Sequence, residues 1–498
     1  MSAKKKVLEN SFLYTFSSLT VKATGFLLLP LYTFFLTPDD YGIVNLINSF
    51  LQMALYIVSM SLGSGIVRFY LDYKDNQEQL KRYLGSVILF VIVSSGLFTV
   101  LGFIFKDILI NTLFDGLAFY PYVFIALVTM SFLTLHKIHQ DIMQAMQLGR
   151  KLSLVNLSVF FLIAAFNVFF IVVLKLGATG MLLAQLIVHV GYIFYVIYDL
   201  KKHRLFMFAF DIKILWNALK YSVPLMPHNL STRIASFASR VFLNIGGTAT
   251  VVGLYSVGLR FGQLIDTVQS SVNKAFRPWF FEMMEKGVKD SKKQIVDLST
   301  LLLTLYSLVY MVIGLFSQEA ILIMTSKKYV MAWTVIPILV VGYSVKSIYY
   351  FYVNILFYYK SLAKKIFLST LAGSFADVIL AFLLIPGLGM YGAAVAFLLA
   401  KIIVVIIVYL MAREHNDVGY RMLDMIKIIM ISLIFMGIGL YFSYMNYLEE
   451  FSFLNVLYKF VILLVYLVLI YFMNKSSIKK FIRSNQWKKI LKKKKTNK

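Results

Sequence analysis

The sequence contains no cysteine among its 498 residues. Disulfide bonds, thiolate metal sites and cysteine nucleophiles are therefore excluded. It also lacks the G-x-x-x-x-G-K-[ST] loop that binds nucleotide phosphates and the H-E-x-x-H motif that binds zinc. We therefore expect neither a metal nor a cofactor. A glycosyltransferase or polymerase would need catalytic carboxylates on a substantial polar domain, and the connections that could form one are short and nearly devoid of paired acids, so we expect a protein that is not an enzyme.

Charge is scarce as well. Charged residues make up 14% of the chain, against about 25% in soluble domains, and hydrophobic residues make up 60%. This composition predicts an all-α protein that crosses a membrane many times. The first apolar run, residues 12–36, is too long for the core of a cleaved signal peptide, so we expect it to remain as a membrane span.

Apolar runs that can cross a bilayer need about 20 residues of helix, and the sequence contains about fourteen of them. They cover residues 12–36, 43–66, 84–105, 117–135, 152–174, 178–198, 221–245, 251–272, 298–316, 330–358, 366–385, 391–411, 425–445 and 453–473.

Lysine and arginine are distributed unequally between the connections of these runs. The even-numbered connections and both termini hold 37 of the 49 basic residues, the odd-numbered connections hold 4 and the runs themselves hold 8. Basic connections stay in the cytoplasm, so the split predicts fourteen spans with both termini cytoplasmic. The net charge of +26 then follows from topology and from a basic tail that contacts anionic lipid, and nucleic acid is excluded as a partner.

Two stretches of the chain repeat at nearly one offset. LGATGMLLAQLIVH at 176–189 matches LGMYGAAVAFLLAK at 388–401, and YGIVNLINSFLQ at 41–52 matches VGLYSVGLRFGQ at 252–263. Offsets of 212 and 211 predict two pseudo-symmetric six-helix lobes with a site at their interface. The predicted parts are an N-terminal lobe (1–210), a C-terminal lobe (211–415), an additional helix pair (416–474) and a cytoplasmic tail (475–498).

Basic side chains inside the runs are concentrated in one helical hairpin around a turn at 246–248. Arg233 and Arg240 precede the turn, seven residues apart and thus near one face of a helix, and Arg260 follows it. A charged side chain at the bilayer centre costs roughly 2.5–3.5 kcal/mol on insertion scales. These arginines are expected to face water, a counter-ion or an anionic substrate. The alternative is structural ion pairing or snorkelling to an interface.

The repeat and the tenth run add two lysines to this set. The offset of 211 aligns Lys22 with Arg233, and Lys346 lies within the tenth run. We predict a cationic central cavity that binds an anionic cargo, because arginine and lysine are the side chains that contact phosphate. Its predicted residues are Lys22, Arg233, Arg240, Arg260 and Lys346.

Acidic residues are few in the predicted runs. Asp266 and Asp377 are the nearest, and two acids cannot neutralise five cations. Asp266, at about the depth of His228, either serves a coupling proton or sodium ion or forms a salt bridge with Arg260 or Arg233. The salt bridge is the favoured interpretation.

Two prolines and three polar residues are further candidates for a functional or structural role within the predicted runs. Pro224 and Pro227 open the second repeat, and proline kinks a helix, so they form either a hinge for lobe movement or a static kink. His189 and Lys401 are equivalent in the repeat, and helix packing is the expected role of both. Lys459, near the end of the last run, is expected to snorkel.

Several motifs, in their order and spacing, resemble those of a known family. They are F-L-L-L-P-L-Y-T-x-x-L-T-P-x-x-Y-G (26–42), S-x-I-V-R-F-Y (64–70), Y-S-V-P-L-M-P (221–227) and V-G-L-Y-S-V (252–257). Together they resemble the polysaccharide flippases of the multidrug/oligosaccharidyl-lipid/polysaccharide (MOP) exporter superfamily over residues 7–415. Asp377 departs from this resemblance, which implies asparagine at that position, so Asp377 is either sequence drift or a coupling or salt-bridge site.

The resemblance implies two lobes in a V around a central cavity, in the bacterial cytoplasmic (inner) membrane. It implies a flippase that moves a polyprenyl-diphosphate-linked oligosaccharide to the outer leaflet by alternating access. Membrane lipid, a polysaccharide polymerase and glycosyltransferases are the expected partners. A lipid II flippase of peptidoglycan synthesis is the main alternative. A cation-coupled multidrug exporter is disfavoured because the first run carries Lys22 and no acid.

Overall fold

The computed structural model describes residues 3–205, 207–287 and 289–483, and over these ranges the chain is helical apart from short connections. The helices are α1 Ala3–Leu27, α2 Leu29–Phe35, α3 Pro38–Val58, α4 Leu62–Tyr73, α5 Gln77–Ile104, α6 Lys106–Leu113, α7 Phe124–Ala145, α8 Gly149–Val168, α9 Gly177–Lys202, α10 Ile212–Ser222, α11 Met226–Ile245, α12 Ala249–Lys286, α13 Lys289–Leu315, α14 Ser317–Met324, α15 Ile336–Tyr358, α16 Lys360–Ala363, α17 Ile366–Ala412, α18 Met422–Met445 and α19 Phe453–Arg483. The described residues contain no strand.

The predicted apolar runs all fall on helices, singly or in consecutive pairs. Within the described ranges, eleven segments are long and apolar enough to cross a membrane. One of them, Lys360–His415, contains two predicted runs. The backbone leaves the helical conformation between these two runs, at Gly389 (φ 52°, ψ −129°). The segments α11 and α12, which carry the three arginines, are not among the eleven. The multi-pass all-α fold is confirmed, and the number of spans stays a prediction.

The second predicted run, 43–66, is interrupted, so the expectation of one continuous helix there is wrong. Met60 and Ser61 have positive φ angles of 45° and 55°, and they separate α3 from α4. No proline marks this break. Gly63, just after it, approaches Asp141 of α7 so closely that a Cβ would lie 2.0 Å from the carboxylate oxygen.

The contacts within the chain define two compact units. The first contains Met1–Val257 and Thr370–Ala396, and the second contains Gly258–Ser369 and Phe397–Lys498. In the first unit α7 packs on α9, α5 and α4, and α11 packs on α3; in the second, α13 packs on α15 and α18. The predicted lobe boundaries concern the repeat and stay a prediction. Residues 484–498 of the predicted tail lie outside the described residues.

The helices α3 and α12 cross at two glycines that the repeat makes equivalent. A Cβ on Gly42 would lie 1.7 Å from the carbonyl oxygen of Ala249, and a Cβ on Gly253 would lie 2.0 Å from that of Pro38. The offset that aligns the two glycines also aligns Pro38 with Ala249, so the two contacts are equivalent. Reciprocal contacts of this kind are those made around a two-fold axis.

Candidate functional site

In the first unit, Lys22 on α1 and Arg233 on α11 are both exposed. Thr232 and Ile234, the neighbours of Arg233, are exposed as well. A cation on a membrane-spanning helix is costly against hydrocarbon and is stable against water or a polar ligand. The exposure of these two side chains is what a cationic surface requires, and their contact with a substrate stays a prediction.

Arg240, seven residues after Arg233 on α11, is buried and only 8% exposed. Its Nη1 donates to the carbonyl and to the hydroxyl oxygen of Ser236, each at 2.7 Å. Buried Tyr255 lies within electrostatic range of both Arg240 and Asp377. The structure thus places Arg240 among interior contacts and does not group it with the exposed cations.

In the second unit, Arg260 on α12 is exposed, whereas Lys346 on α15 is bonded. The Nζ of Lys346 donates to Oδ1 of Asp266 at 2.6 Å, and the hydroxyl of Tyr350 donates to the same oxygen at 3.0 Å. The side chains of the ion pair are 25% and 31% exposed. The structure shows a salt bridge of Asp266 with Lys346, on a helix 80 residues further along the chain. The predicted pairing of Asp266 with Arg260 or Arg233 stays a prediction.

The proposed hinge lies at a break in the helix. Val223–Leu225 form a single 3-10 turn between α10 and α11, and Pro227 occupies the first turn of α11. Pro224, Pro227 and His228 are all exposed. The interruption follows from proline, which lacks the N–H for a helical hydrogen bond. Movement at this break, and a coupling role for His228, stay predictions.

Acidic side chains are more numerous within the helices than the sequence suggests. Asp141 on α7, Asp199 on α9 and Glu319 on α14 are 7%, 4% and 7% exposed. These acids pair with Lys137, Lys151 and Lys459, which are outside the five candidate cations. The helices α7 and α9 extend past the predicted runs, and α14 lies in what the sequence presents as a connection.

Lys459 on α19 is fully buried. Its Nζ donates to the two carboxylate oxygens of Glu319 at 2.6 and 2.9 Å and to Oε1 of Gln318 at 3.3 Å. Asn455 connects this cluster to the hydroxyl of Ser443 on α18 at 3.0 Å. The prediction of snorkelling is wrong for Lys459, because a carboxylate 140 residues away in sequence neutralises it.

A polar cavity of about 200 Å³ lies in the first unit, beside the break between α3 and α4. Ser59, Ser61, Asn229 and the ion pair of Lys137 with Asp141 line it. The sequence does not predict this cavity. The cavity lies beside a break where Met60 and Ser61 have positive φ angles, and neither position carries the glycine or proline that would mark a break in the sequence. Over the described residues, no cluster of histidines and acids could hold a metal ion.

The apolar helical segments define a multi-pass membrane protein. A family model described as "Polysaccharide biosynthesis protein" matches residues 7–284, more than half of the chain. The chain belongs to this family.

Known proteins share both sequence and fold with the chain. Lsg locus putative protein 1 of Haemophilus influenzae is 22% identical over 289 residues, which cover 56% of this chain and 67% of that protein. The solved structure of the lipid II flippase MurJ, inward closed, has a TM-score of 0.68 at 17% identity and covers 92% of this chain and 99% of its own. A MOP superfamily transporter from Pyrococcus furiosus has a TM-score of 0.57 at 15% identity, with 84% and 97% covered. The chain thus belongs to the polysaccharide biosynthesis family and has the fold of these two solved transporters.

Proposed function

We propose that the protein is a flippase for a polyprenyl-diphosphate-linked oligosaccharide used in surface polysaccharide synthesis. The cargo would pass from the cytoplasmic to the outer leaflet by alternating access. The family match supports the link to polysaccharide synthesis. The observation that carries the proposal is the exposure of Lys22, Arg233 and Arg260 on helices of a chain with only 14% charged residues.

A diphosphate is the part of such a cargo that exposed cations would hold. Arginine offers a planar fork of donors that matches two phosphate oxygens, and lysine adds a compact charge. In the proposed roles, Lys22 and Arg233 of the first unit contact the diphosphate, and Arg260 of the second unit is a separate candidate for contact with the anionic cargo. Arg240 and Lys346, which are bonded to protein groups, maintain the shape of the helices that carry the first three.

The proposed setting is the bacterial cytoplasmic membrane, with both termini in the cytoplasm. Glycosyltransferases that complete the lipid-linked oligosaccharide and a polymerase that consumes it are the proposed functional partners. A proton or a sodium ion is the proposed coupling ion, since the chain has no nucleotide-binding loop of the P-loop type.

Lipid II flipping is the second candidate function. The fold similarity to MurJ, a lipid II flippase, extends over almost the whole chain. Lipid II presents the same diphosphate chemistry to the exposed cations. The two candidates therefore differ in the sugar, and only a cargo test separates them.

Complementation tests the proposal. The chain would be expressed in a strain that lacks its own polysaccharide flippase, and surface glycan would be stained beside a strain depleted of its lipid II flippase. An Arg233→Ala, Arg260→Ala double variant would be expressed at matched abundance. The control is a Lys74→Ala, Lys201→Ala double variant, which removes two exposed cations outside the candidate surface.

The proposal predicts glycan rescue by the wild type and by the control, and a loss of at least tenfold in the Arg233→Ala, Arg260→Ala variant, about the effect of 1.4 kcal/mol in binding. Growth rescue only in the strain depleted of its lipid II flippase would favour lipid II flipping over the proposed function. Rescue of surface glycan by all three proteins would support the flippase function and contradict the role of Arg233 and Arg260 in binding the cargo.

A further inference from the structure

A cluster of buried polar side chains joins α7, α8 and α9 in the first unit. His136, His139 and His189 are 4%, 1% and 6% exposed. None of the three belongs to the proposed cargo surface. Buried polar groups need hydrogen-bond partners, and the partners of these histidines determine where their protons lie.

His136 and His189 bond to each other through ring nitrogens. Their Nδ1 atoms are 3.0 Å apart, in a contact between residues 53 positions apart in sequence. A hydrogen bond between two imidazole nitrogens requires that one donates and the other accepts. The pair therefore holds a single proton between its two Nδ1 atoms.

Gln140 and Asn156 determine the direction of this bond. The Nε2 of Gln140 lies 2.9 Å from Nε2 of His136 and donates to Oδ1 of Asn156 at 2.8 Å. An amide nitrogen donates through both of its hydrogens, so Nε2 of His136 accepts. Nδ1 of His136 consequently donates to Nδ1 of His189, and both rings are neutral in this arrangement.

An additional proton on His136 reverses the direction of its hydrogen bond with Gln140 and of the bond between Gln140 and Asn156. Protonation of His136 at Nε2 makes that atom a donor, so Gln140 must present its oxygen in place of its nitrogen. Asn156 must then present its nitrogen to the same oxygen. The two amides have to turn together, which gives the site two defined hydrogen-bond states that differ by one proton.

The carboxylates near the pair are already bonded to other groups. Asp141 is paired with Lys137 on α7. Asp199 on α9 is paired with Lys151 of α8, and it accepts from Nε2 of His139 at 3.0 Å. An imidazolium at His136 would thus share a buried region with ion pairs that are complete without it.

The other titratable groups around this part of α7 are mostly tyrosines. They are Tyr56 of α3, Tyr70 of α4, Tyr83 of α5, Tyr192 and Tyr195 of α9, and His203 after α9. The ring of Tyr192 lies 3.9 Å from that of His136, and its hydroxyl is bonded to Nδ1 of His139 at 2.7 Å. Tyrosine titrates near pH 10 and stays neutral where histidine changes charge.

We propose that the His136–His189 pair is a proton-binding site and that proton binding weakens the packing of α7 against α8 and α9. A buried charge without its own counter-ion is unfavourable, so the protonated pair favours an arrangement that admits water. This proton also serves as the coupling ion of transport, a step that rests on the proposed function.

Spin labels on the two helices test the site directly. Because the chain has no cysteine, labels would attach only at Gln144→Cys near the end of α7 and Lys201→Cys near the end of α9, both exposed. The distance between the labels would be measured by double electron–electron resonance on the full chain in lipid nanodiscs. Between about pH 8 and about pH 5, we expect a second, longer population, displaced on the order of 5 Å, as in a one-turn helix shift.

Variants separate a titrating pair from a packing contact. A His136→Asn, His189→Asn double variant keeps side chains that bond as Nδ1 does but cannot titrate, and its distances should match the pH 8 distribution at both pH values. The single variant His136→Asn carries the same prediction if the double variant does not fold. His203→Gln, at an exposed histidine of the same unit, is the control and should keep the full pH response.

Two results would overturn the proton site: a wild-type distribution that does not change with pH, or a pH response that persists in a folded asparagine variant. The measurement needs no cargo, so it succeeds or fails independently of the flippase proposal. Loss of glycan rescue in the asparagine variant, with normal distances at pH 8, supports the coupling role. Rescue at the wild-type level would overturn that role.

Discussion

The basic side chains inside the apolar runs differ in their surroundings. Lys22, Arg233 and Arg260 are exposed, whereas Lys346 and Lys459 form a bonded group, each paired with a carboxylate at 2.6 Å. Arg240 is buried and is bonded to Ser236. The difference teaches that the position of a cation within an apolar run does not decide its surroundings, which depend on the groups that the fold brings to it.

The strongest test of this comparison is removal of the buried charge. Lys459→Ala leaves Glu319 buried without its partner, and breaking a buried pair in this way costs about 3–5 kcal/mol. We expect a loss of that size in the free energy of unfolding, measured by SDS titration in mixed micelles.

The matched control removes both charges of the pair. A Lys459→Met, Glu319→Leu variant should recover most of the lost stability, because an apolar pair of similar volume needs no counter-ion. A loss of less than about 1 kcal/mol in Lys459→Ala would contradict the burial of an essential ion pair at this position.

A similar contrast between a tightly packed position and an unpacked position can be tested with two glycines. Gly42→Ala inserts a Cβ 1.7 Å from a backbone oxygen of α12, so the helices must separate, at a cost of about 1–3 kcal/mol. Gly96→Ala on α5 has no atom within 4 Å of the new Cβ and should be neutral or stabilising by up to about 1 kcal/mol. Equal SDS unfolding midpoints for the two variants would contradict the close crossing.

The half-exposed ion pair should give a smaller effect. A double-mutant cycle with Lys346→Ala and Asp266→Ala is expected to give a coupling energy of about 0.2–1 kcal/mol, because solvent screens a pair that is 25% and 31% exposed. The measurement is the free energy of unfolding of the four proteins. A coupling energy like that expected for Lys459 would remove the distinction between the two pairs.

The exposed cations should affect stability least. Lys22→Ala, Arg233→Ala and Arg260→Ala are each expected to change the free energy of unfolding by less than about 0.5 kcal/mol, as surface substitutions do. Surface glycan in the complemented strain should nevertheless fall. A large loss of stability in any of the three would assign that residue to the bonded group.

Much of the fold could be predicted from the sequence, because apolar run length and turn residues act locally. The predicted turn at 246–248 is confirmed, since α11 ends at Ile245 and α12 begins at Ala249. The break at Met60 and Ser61 could not be predicted, since neither residue favours a positive φ. It depends on the approach of Gly63 to a helix almost 80 residues away in sequence.

The candidate site was less predictable, because it depends on pairs of distant residues. The sequence shows which cations lie in apolar runs, and this identified Lys22, Arg233 and Arg260 as candidates. It does not show that Glu319, in a short helix between two spans, neutralises Lys459. Nor does it show that His189 meets a second histidine on α7. The single interpretation of His189 as a packed residue agrees with its burial but omits its partner.

The crossing of α3 and α12 can be altered from either side. Gly42 lies against Ala249, and Gly253 lies against Pro38. In a homodimer one glycine serves both sides of a two-fold contact, so one substitution obstructs both at once. In this chain each side of the crossing has its own glycine, so a methyl group can be added to one side while the other keeps its close approach.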